Sequence, residues 1–386
     1  MNTTYARNSI GIILMLFFFV ACNEGSNTKL SIKDGAFLLD NGQIDLKEKI
    51  VDINDLNFDI TRVVPLETNE ECLVGSFSDF LIEDGNIFIA DDRKTKSVLQ
   101  FSSDGKFKNK IHRVGKGDGE YLYISNFFKL NDGAGYAIQD IRLRKLLLFS
   151  KDLEFQKVVP FPYSFEQIQP LGDSYIAVNR KSDSYYLSKL DSHFNIVDTL
   201  FKRPNYVKKF EFGLSDHMKY NAKTEEILFH PQLFNGLYKF NGKEMKLSYG
   251  IKNKNLFPDK SFYVQHKDGD FNASMMDLTS NKKITFMIAQ ETKTKVMLRY
   301  RIARESYISI FDKKTKKTIS FPINKENPMS LLIANTLYIN KKGELVCLIR
   351  AFHGLNCPEI KNKLTQNVGE EDNPIIVFIH LDSLTL

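Results

Sequence analysis

Short apolar runs separated by polar turns recur along the chain from about residue 60. The clearest copy begins at Leu81 and reads LIEDGNIFIADDRKTKSVLQFSSDGKFKNKI, with Asp84-Gly85 and Asp104-Gly105 between runs of alternating polarity. An Asp-Gly pair between two such runs is a strong signal for a β-hairpin. The next copy, KLNDGAGYAIQDIRLRKLLLFSKDLEFQKVV, has Asp132-Gly133 in the same place. The pattern predicts a repeated unit of three or four short antiparallel strands.

Three further copies follow, beginning PLGDSYIAVN, TEEILFHPQL and KVMLRYRIAR, and the last strands read GELVCLIRAF and NPIIVFIHLDS. The equivalent apolar residues of the third strands lie 41 to 71 residues apart and are Phe101, Phe149, Leu190, Phe240 and Phe311. Repeats of this size, built from short strands, are typical of β-propeller blades. We therefore predict an all-β fold, a six-bladed β-propeller. Residues 251–282 are expected to form a long polar loop, and helices are expected to be nearly absent.

A propeller closes its ring when strands from the two ends of the chain share one sheet, because this covers edges that would otherwise be free. The run FDITRVV at residues 58–64 lies before the first copy, and residues 375–380 form the last strand. We predict that these two segments pair and close the ring.

The N-terminus reads as an export signal. Arg7 precedes the apolar run IGIILMLFFFV at residues 10–20, which is too short to span a membrane. The run ends in Phe19-Val20-Ala21-Cys22, which resembles a bacterial lipobox; the alternative is an ordinary secretory signal with a chance cysteine. We expect a signal peptide over residues 1–21, a lipidated Cys22 and flexible tether over 22–35, and one propeller domain over 36–386. The expected location is the outer membrane, facing either the periplasm or the cell surface.

Composition adds two constraints. The chain has 31 Phe and 16 Tyr but no Trp, which indicates aromatic packing between stacked sheets and makes a Trp platform for neutral sugars impossible. Besides Cys22 there are three cysteines, Cys72, Cys347 and Cys357. An export compartment permits disulfides, so Cys347 and Cys357 are candidates for a pair; the alternative for Cys72 and Cys347 is a buried free thiol in a strand.

The segment from Val64 to Tyr121, VPLETNEECLVGSFSDFLIEDGNIFIADDRKTKSVLQFSSDGKFKNKIHRVGKGDGEY, resembles the start of the six-bladed β-propeller lipoproteins of Gram-negative gut bacteria. These proteins are relatives of NHL-repeat propellers, and the closing EDNPIIV from Glu371 to Val377 is similar to their C-terminal strand. Asp118 departs from the family's Pro in the Gly-x-Gly-x-Gly-Glu-Tyr turn. The resemblance implies the propeller shape and an envelope location. It carries no common activity, so no catalytic residue is assigned.

Alignment of the copies places a cationic residue after each second strand. These residues are Arg93, Arg142, Arg180, His230, Arg304 and Arg350. Equivalent positions in a propeller lie on one face, so the six groups are candidates for a collar around the channel that binds a carboxylate or sulfate. The alternative is structural: each Arg pairs with a nearby loop acid such as Asp91, Asp92 or Asp140 and links adjacent blades.

The remaining motifs give weaker signals of function. The segment Gly115 to Glu120 lies between strands and contains two acids, so it reads as a turn between blades and not as a phosphate loop. Residues 281–317 have eleven Lys or Arg and three Asp or Glu, which indicates either a basic strip for anionic glycans or lipids or a solvated hairpin tip. No hydrolase motif is present.

The first function hypothesis is a membrane-anchored binding or scaffold propeller whose ligand is an anionic glycan, a small anion or an envelope protein partner. The alternative is an enzyme acting at the channel, a lactonase, lyase or hydrolase. No cofactor is predicted, but calcium in the channel stays open because its ligands would come from separate blades. The expected assembly is a monomer anchored to the membrane through Cys22, and nucleic-acid binding is disfavoured by the export signal.

Overall fold

The described residues of the computed structural model are 42–180, 183–207, 217–221, 224–267 and 270–385. They adopt the predicted all-β, propeller-like arrangement, in which antiparallel sheets pack side by side around a central cavity. The predicted signal peptide, tether and lipidated Cys22 lie outside the described residues. The longest α-helix within these ranges has ten residues, too few to span a bilayer.

Two short strands precede the blades, β1 (Gln43–Ile44) and β2 (Asp59–Pro65), with a 3-10 turn at Ile53–Asp55 between them. The first blade contains β3 (Asp79–Glu83), β4 (Asn86–Asp91), β5 (Ser97–Ser102) and β6 (Phe107–Ile111). The second contains β7 (Asn126–Lys129), β8 (Gly135–Asp140), β9 (Lys145–Ser150) and β10 (Phe155–Pro160). The third contains β11 (Gln167–Leu171), β12 (Ser174–Val178), β13 (Tyr185–Leu190) and β14 (Ile196–Lys202).

The remaining elements follow in chain order. Four strands come next, β15 (His217–Asn221), β16 (Glu226–His230), β17 (Gly236–Phe240) and β18 (Met245–Ile251). After a 3-10 turn at Lys254–Leu256 come α1 (Lys260–Gln265) and α2 (Phe271–Ser280), then β19 (Ile284–Glu291), β20 (Lys295–Ile302), β21 (Glu305–Asp312) and β22 (Thr318–Pro322). The chain ends with α3 (Pro328–Ala334), β23 (Thr336–Ile339), β24 (Leu345–Ile349), α4 (Ala351–Leu355), α5 (Pro358–Lys361), β25 (Ile375–His380) and a 3-10 turn at Leu381–Ser383.

The predicted Asp-Gly hairpins are confirmed. Asp84 and Gly85 join β3 to β4 with φ angles of 49° and 73°, the left-handed pair that matches the twist of a tight hairpin. The residues chosen as third-strand anchors are all buried, and each lies in the third strand of its four-stranded unit; they are Phe101, Phe149, Leu190, Phe240 and Phe311. Local turn chemistry and alternation therefore predicted the strand order within each unit.

The prediction of six separate blades is wrong. The described strands form four separate four-stranded sheets, β3–β6, β7–β10, β11–β14 and β19–β22. The others form one nine-stranded sheet in the order β1-β18-β17-β16-β15-β23-β24-β25-β2. Its two halves repeat the antiparallel order of a blade, but a parallel bridge between Asn221 and Ile339 joins their first strands. This bridge depends on the close approach of two strands that are more than a hundred residues apart in sequence, so no local pattern encodes it.

The predicted closure by the first and last segments is confirmed. β2 pairs antiparallel with β25, with Val64 opposite Ile376, and β25 also pairs with β24. Val64 and Ile376 then pack with Ile87 and Phe101 of the first blade in one apolar cluster. Both edges of β25 are therefore paired with a strand, and the nine-stranded sheet packs against the first blade, β3–β6.

Residues 251–282 are not the predicted loop, because α1 and α2 lie within them. Each helix begins after an aspartate that satisfies free backbone N–H groups: Asp259 accepts from Ser261 and Phe262, and Asp270 accepts from Asn272 and Ala273. The pair packs through an apolar cluster that includes Phe262, Tyr263 and Leu278. The expectation that helices are nearly absent is corrected accordingly.

The three cysteines that the structure describes do not pair. Cys72, Cys347 and Cys357 are all buried free thiols. The Cys347 Sγ lies 3.2 Å from the Thr336 hydroxyl, and the Cys357 thiol donates to the Glu359 carboxylate at 3.1 Å. Burial raises the pKa of Cys347 to about 12. The candidate pair of Cys347 and Cys357 is therefore not formed, and the alternative of buried thiols at Cys72 and Cys347 is confirmed.

Candidate functional site

A central cavity of about 930 Å³ lies where the first strands of the units converge. Its wall is made mainly by five of these first strands, β3, β7, β11, β15 and β23, together with the turns that lead from each of them to the next, and by Thr61, Arg62 and Phe378 of the closing strands β2 and β25. The volume is within the range of about 300–1,000 Å³ typical of small-molecule sites. The cavity is therefore the candidate site.

Charged side chains of both signs line the cavity. The cations are Arg62, Lys129, Lys219, Lys341 and Lys342, and the anions are Asp79, Glu83, Asp84, Glu225 and Glu344. The equal numbers show that the wall has no net formal charge. Which charges are available to a ligand therefore depends on how the wall pairs them.

Several of these charges are already engaged with the protein. Glu83 lies 2.6 Å from the Lys129 ammonium and 3.7 Å from that of Lys341. Glu344 accepts hydrogen bonds from the Thr61 hydroxyl at 2.6 Å and the Asn340 amide at 2.9 Å, and these bonds lower its pKa despite partial burial. Because these charged groups are already bonded to protein partners, a ligand gains little by binding to them.

Lys219 and Asp79 are held on the wall by backbone groups. The Lys219 ammonium, on β15, donates to the Leu337 carbonyl at 2.9 Å, and the Asp79 carboxylate, on β3, accepts from the Phe127 backbone N–H at 2.8 Å. Both side chains are half-buried and line the cavity. Within the described residues, neither has an ion pair within 4.0 Å. Each group thus has a backbone partner and hydrogen-bonding capacity left over.

The surroundings bring the pKa values of both groups toward neutrality. Burial raises the pKa of Asp79 to about 6, against the N–H of Phe127 and the charge of Lys219, which lower it. Burial and the nearby Arg299 guanidinium lower the pKa of Lys219 to about 8, and the charge of Asp79 opposes this. Groups that titrate near neutral pH on the wall of a cavity are typical of functional sites, although structural networks also produce them.

None of the six residues of the predicted cationic collar lines this cavity. First and second strands are antiparallel, so the turn after a second strand lies at the opposite end of the sheet from the turn before it. The cavity is lined by turns that join first strands to second strands, whereas the collar residues lie at the other end of the second strands. Anion binding by the collar stays a prediction, but its residues are separate from the cavity.

The collar residues also differ in exposure. Arg93, Arg142, Arg180, Arg304 and Arg350 are exposed, whereas the imidazole of His230 is buried and its Nε2 lies 2.9 Å from the Phe234 carbonyl.

The structural alternative, in which each arginine pairs with a loop acid, is seen for Arg93, whereas Arg142 contacts an aromatic ring. The Arg93 side chain is 80% exposed and lies 3.9 Å from Asp92, while Arg142 lies over the Tyr123 ring at 5.1 Å. Tyr123 donates to Asp92 at 2.7 Å and so links the first two blades. Exposed ion pairs contribute little, so this linkage depends mainly on the tyrosine.

Asp91 and Asp140 have a role that the sequence pattern did not reveal. Asp91, at the end of β4, accepts from the backbone N–H groups of Gly75, Ser76 and Lys94 at 2.8–3.0 Å. Asp140, at the end of β8, accepts from the N–H groups of Leu122, Arg142 and Leu143 at 2.7–3.0 Å. Although burial opposes it, hydrogen bonds from Ser76 and the backbone lower the pKa of Asp91 to about 2. These carboxylates join the turn after the second strand to the segment that precedes the first strand.

The segment Gly115 to Glu120 connects β6 to β7 as predicted, and the Glu120 carboxylate accepts from the Gly117 N–H at 2.8 Å. This loop therefore contains its own anion. The basic stretch 281–317 contains the predicted hairpin tip between β21 and β22, but some of its cations turn inward. Lys295 pairs with Asp312 at 2.6 Å, and Lys313 pairs with Glu291.

No metal site is visible in the part of the chain that the structure describes, since no three His, Cys, Asp or Glu side chains group as ligands there. A calcium-dependent activity stays an untested prediction. Lys219 and Asp79 were missed because the copies were aligned on their second strands. The available signal was a charged residue inside a first strand, as in HMKYN and SDFLIE.

Fold and cavity together define a β-propeller with a central cavity of small-ligand size. Residues 42–380 match the model of a domain of unknown function, DUF4934, and the chain belongs to that family. No curated protein sequence matches the chain.

Two solved structures from Bacteroides are similar in fold. An exported protein of Bacteroides fragilis NCTC 9343 has 20% identity and a TM-score of 0.72, over 88% of this chain and 99% of that one. A member of the DUF4221 family from Bacteroides vulgatus ATCC 8482 has 10% identity and a TM-score of 0.52, over 84% of this chain and 97% of that one. At these identities the similarity shows the fold alone.

Proposed function

We propose that this DUF4934 protein is a lipid-anchored binding protein of the cell envelope whose central cavity holds a small acidic ligand, such as an acidic sugar. One observation carries the ligand class: Lys219 and Asp79 line the cavity and have backbone partners only. A ligand carboxylate would accept from the Lys219 ammonium, and a ligand hydroxyl would donate to Asp79. An acidic sugar carries both groups in one small molecule.

The other wall charges support this choice. Glu83 is neutralised by Lys129 and Lys341, so a ligand gains little by competing for any of them. A charge-assisted hydrogen bond contributes about 1.5–3 kcal/mol when it replaces an unsatisfied group, and less when water already satisfies it. An acidic ligand therefore gains more from Lys219 than from Lys129 or Lys341.

Isothermal titration calorimetry with D-glucuronate and D-galacturonate tests the proposal, with D-glucose as the neutral comparison. We expect both acids to bind and Lys219→Met to weaken them about 10–100-fold, the equivalent of one charge-assisted hydrogen bond. The matched control is Lys151→Met, an exposed lysine in the turn between β9 and β10. Equal affinity in Lys219→Met and Lys151→Met, or no heat with either acid, contradicts the proposal.

The anchor is a separate part of the proposal. It is supported by the lipobox-like segment that ends in Cys22 and by the resemblance to propeller lipoproteins related to the NHL-repeat group. The exported B. fragilis protein of similar fold is consistent with an envelope location. Cys22→Ser should move the protein from the membrane fraction to the soluble fraction after cell lysis. Unchanged fractionation of the variant would exclude lipid anchoring at this residue.

The alternative, an enzyme acting at the cavity, is favoured by one observation. Asp79 and Lys219 lie on the same wall with pKa values near 6 and 8, so one can donate and the other accept a proton near neutral pH. Turnover on a panel of lactones and acidic polysaccharides would support this alternative.

A further inference from the structure

Lys219 occupies an unusual position for a lysine. It lines the central cavity and also borders a second, much smaller cavity of about 10 Å³. We propose that Lys219 is a nucleophile that forms an imine with an aldehyde or ketone group of a ligand in the central cavity. The inference rests on the cavity being the ligand site, as proposed above, but not on the ligand being acidic.

The geometry leaves the amine open to attack on a ligand. The Lys219 nitrogen donates one hydrogen bond, to the Leu337 carbonyl at 2.9 Å, which holds the amine at the cavity wall. Arg299 supplies a second positive charge close enough to disfavour the protonated amine. That guanidinium is itself fixed, because it donates to the Ala334 carbonyl and lies 5.2 Å from the Phe286 ring centre.

Desolvation beside another cation is one of the established ways of activating a lysine nucleophile. With a pKa of about 8, Lys219 is unprotonated in about a tenth of molecules at pH 7, whereas an ordinary lysine is unprotonated in well under a thousandth. The difference in the reactive fraction is about 200-fold.

Two other lysines of the wall lie beside an anion instead of a second cation. Lys129 and Lys341 both contact the Glu83 carboxylate. On the side of the small cavity, the charged groups near Lys219 are bonded to one another: Lys239 lies 2.7 Å from Glu291 and 3.4 Å from Glu226. The charges left to act on Lys219 are therefore Arg299 and Asp79.

The reaction balances without a further reagent. The Lys219 nitrogen lone pair attacks the carbonyl carbon, the carbon–oxygen π bond breaks as the carbon–nitrogen bond forms, and one proton passes from nitrogen to oxygen to give a carbinolamine. The nitrogen lone pair then expels the hydroxyl group as water, which takes its second proton from the Asp79 carboxyl, and the remaining proton on nitrogen returns to Asp79. The net change is amine plus carbonyl compound to imine plus water. Asp79, with a pKa near 6, can give and regain that proton at neutral pH.

Reductive trapping tests the inference. The purified protein is treated briefly with glycolaldehyde and sodium cyanoborohydride between pH 6 and 11, and each lysine's alkylation is followed by peptide mass spectrometry. At pH 7 we expect Lys219 to label at least about tenfold faster than exposed Lys151, with half-maximal labelling near pH 8. Labelling no faster than Lys151, or a midpoint near pH 10, overturns the inference.

Variants distinguish activation by Arg299 from simple access. Arg299→Met should shift the Lys219 midpoint upward, toward that of an ordinary lysine, whereas Arg301→Met, an exposed arginine on the same strand, should leave it unchanged. If Arg299→Met does not fold, the pH profile of Lys219 labelling in the unaltered protein still tests whether Lys219 is an activated amine.

The calorimetric and trapping results are separable. Acid binding without Lys219 labelling would retain the proposed function and reject the imine. Lys219 labelling without acid binding would retain the imine and reject the acidic ligand of the proposed function.

Discussion

Asp79 shows how one residue can tie stability to pH. Its pKa is about 6 in the folded protein and about 3.8 when unfolded, so between these values the folded state binds more protons than the unfolded state. Stability from this group is therefore present below about pH 4 and is lost as the pH rises through about 6. The full shift corresponds to about 3 kcal/mol, and the half-buried position reduces the expected effect to about 1–2 kcal/mol.

We predict that Asp79→Asn changes this dependence in a defined way. The amide oxygen can still accept from the Phe127 N–H, but it carries no charge to bury. The free energy of unfolding of Asp79→Asn minus that of the unaltered protein should be about 1–2 kcal/mol larger at pH 7.5 than at pH 4.5, because the unaltered protein has lost the contribution of the neutral carboxyl at the higher pH. Urea denaturation at both pH values measures it. Asp173→Asn, in an exposed turn, should show no such difference, and an equal effect of Asp79→Asn at both pH values would contradict the prediction.

The candidate site was only partly predictable at this scale. Aligned second strands revealed a repeated cation such as Arg93 or Arg142, because the repeat itself is visible in sequence. Lys219 and Asp79 belong to different first strands that are 140 positions apart. Only the closed ring brings those strands to one wall, so a single sequence offers no reason to pair them.

Elements were predictable where local chemistry specifies them. The β3–β4 hairpin follows from Asp84-Gly85, since that pair adopts the left-handed φ angles that a tight turn needs. The helices α1 and α2 were missed because six and ten residues give too few turns for a helical period to show. The signal that was present is the aspartate before each helix, Asp259 and Asp270, which is a helix-start signal.

The cap of α2 can be tested directly. Asp270 accepts from the N–H groups of Asn272 at 2.8 Å and Ala273 at 3.2 Å. Asp270→Ala should lower the free energy of unfolding by about 1 kcal/mol, whereas Asp270→Asn, an equally good cap, should stay within about 0.3 kcal/mol of the original. Urea denaturation of the two variants measures this. Equal losses in both would show that the negative charge, and not the hydrogen bonds, stabilises the helix.

At the scale of the whole molecule, closure was predictable and the division into sheets was not. Free strand edges are unfavourable in any β-protein, so pairing of the first and last segments follows from that general cost alone. The bridge between Asn221 and Ile339 has no such general cause. It arises where two particular first strands approach each other, and it merges what the repeat alone predicts as separate sheets.

Closure makes β25 a strand on which the whole ring depends. Ile376 is fully buried there, opposite Val64 of β2 and Leu348 of β24, and it packs in the cluster that joins the last sheet to the first blade. A substitution at this position should therefore weaken the closed ring as a unit and not one blade locally. The matched comparison is Ile196, at the start of β14, which is 39% exposed.

We predict that Ile376→Ala lowers the free energy of unfolding by about 2–4 kcal/mol, and that Ile196→Ala lowers it by less than about 1 kcal/mol. Urea denaturation followed by both far-UV circular dichroism and tyrosine fluorescence measures the loss. The two signals should shift together in Ile376→Ala with an unchanged slope, because both edges of β25 are paired and its loss opens the ring. Separate transitions for the two signals would show that the sheets unfold independently, and that ring closure by β2 and β25 does not make the propeller one cooperative unit.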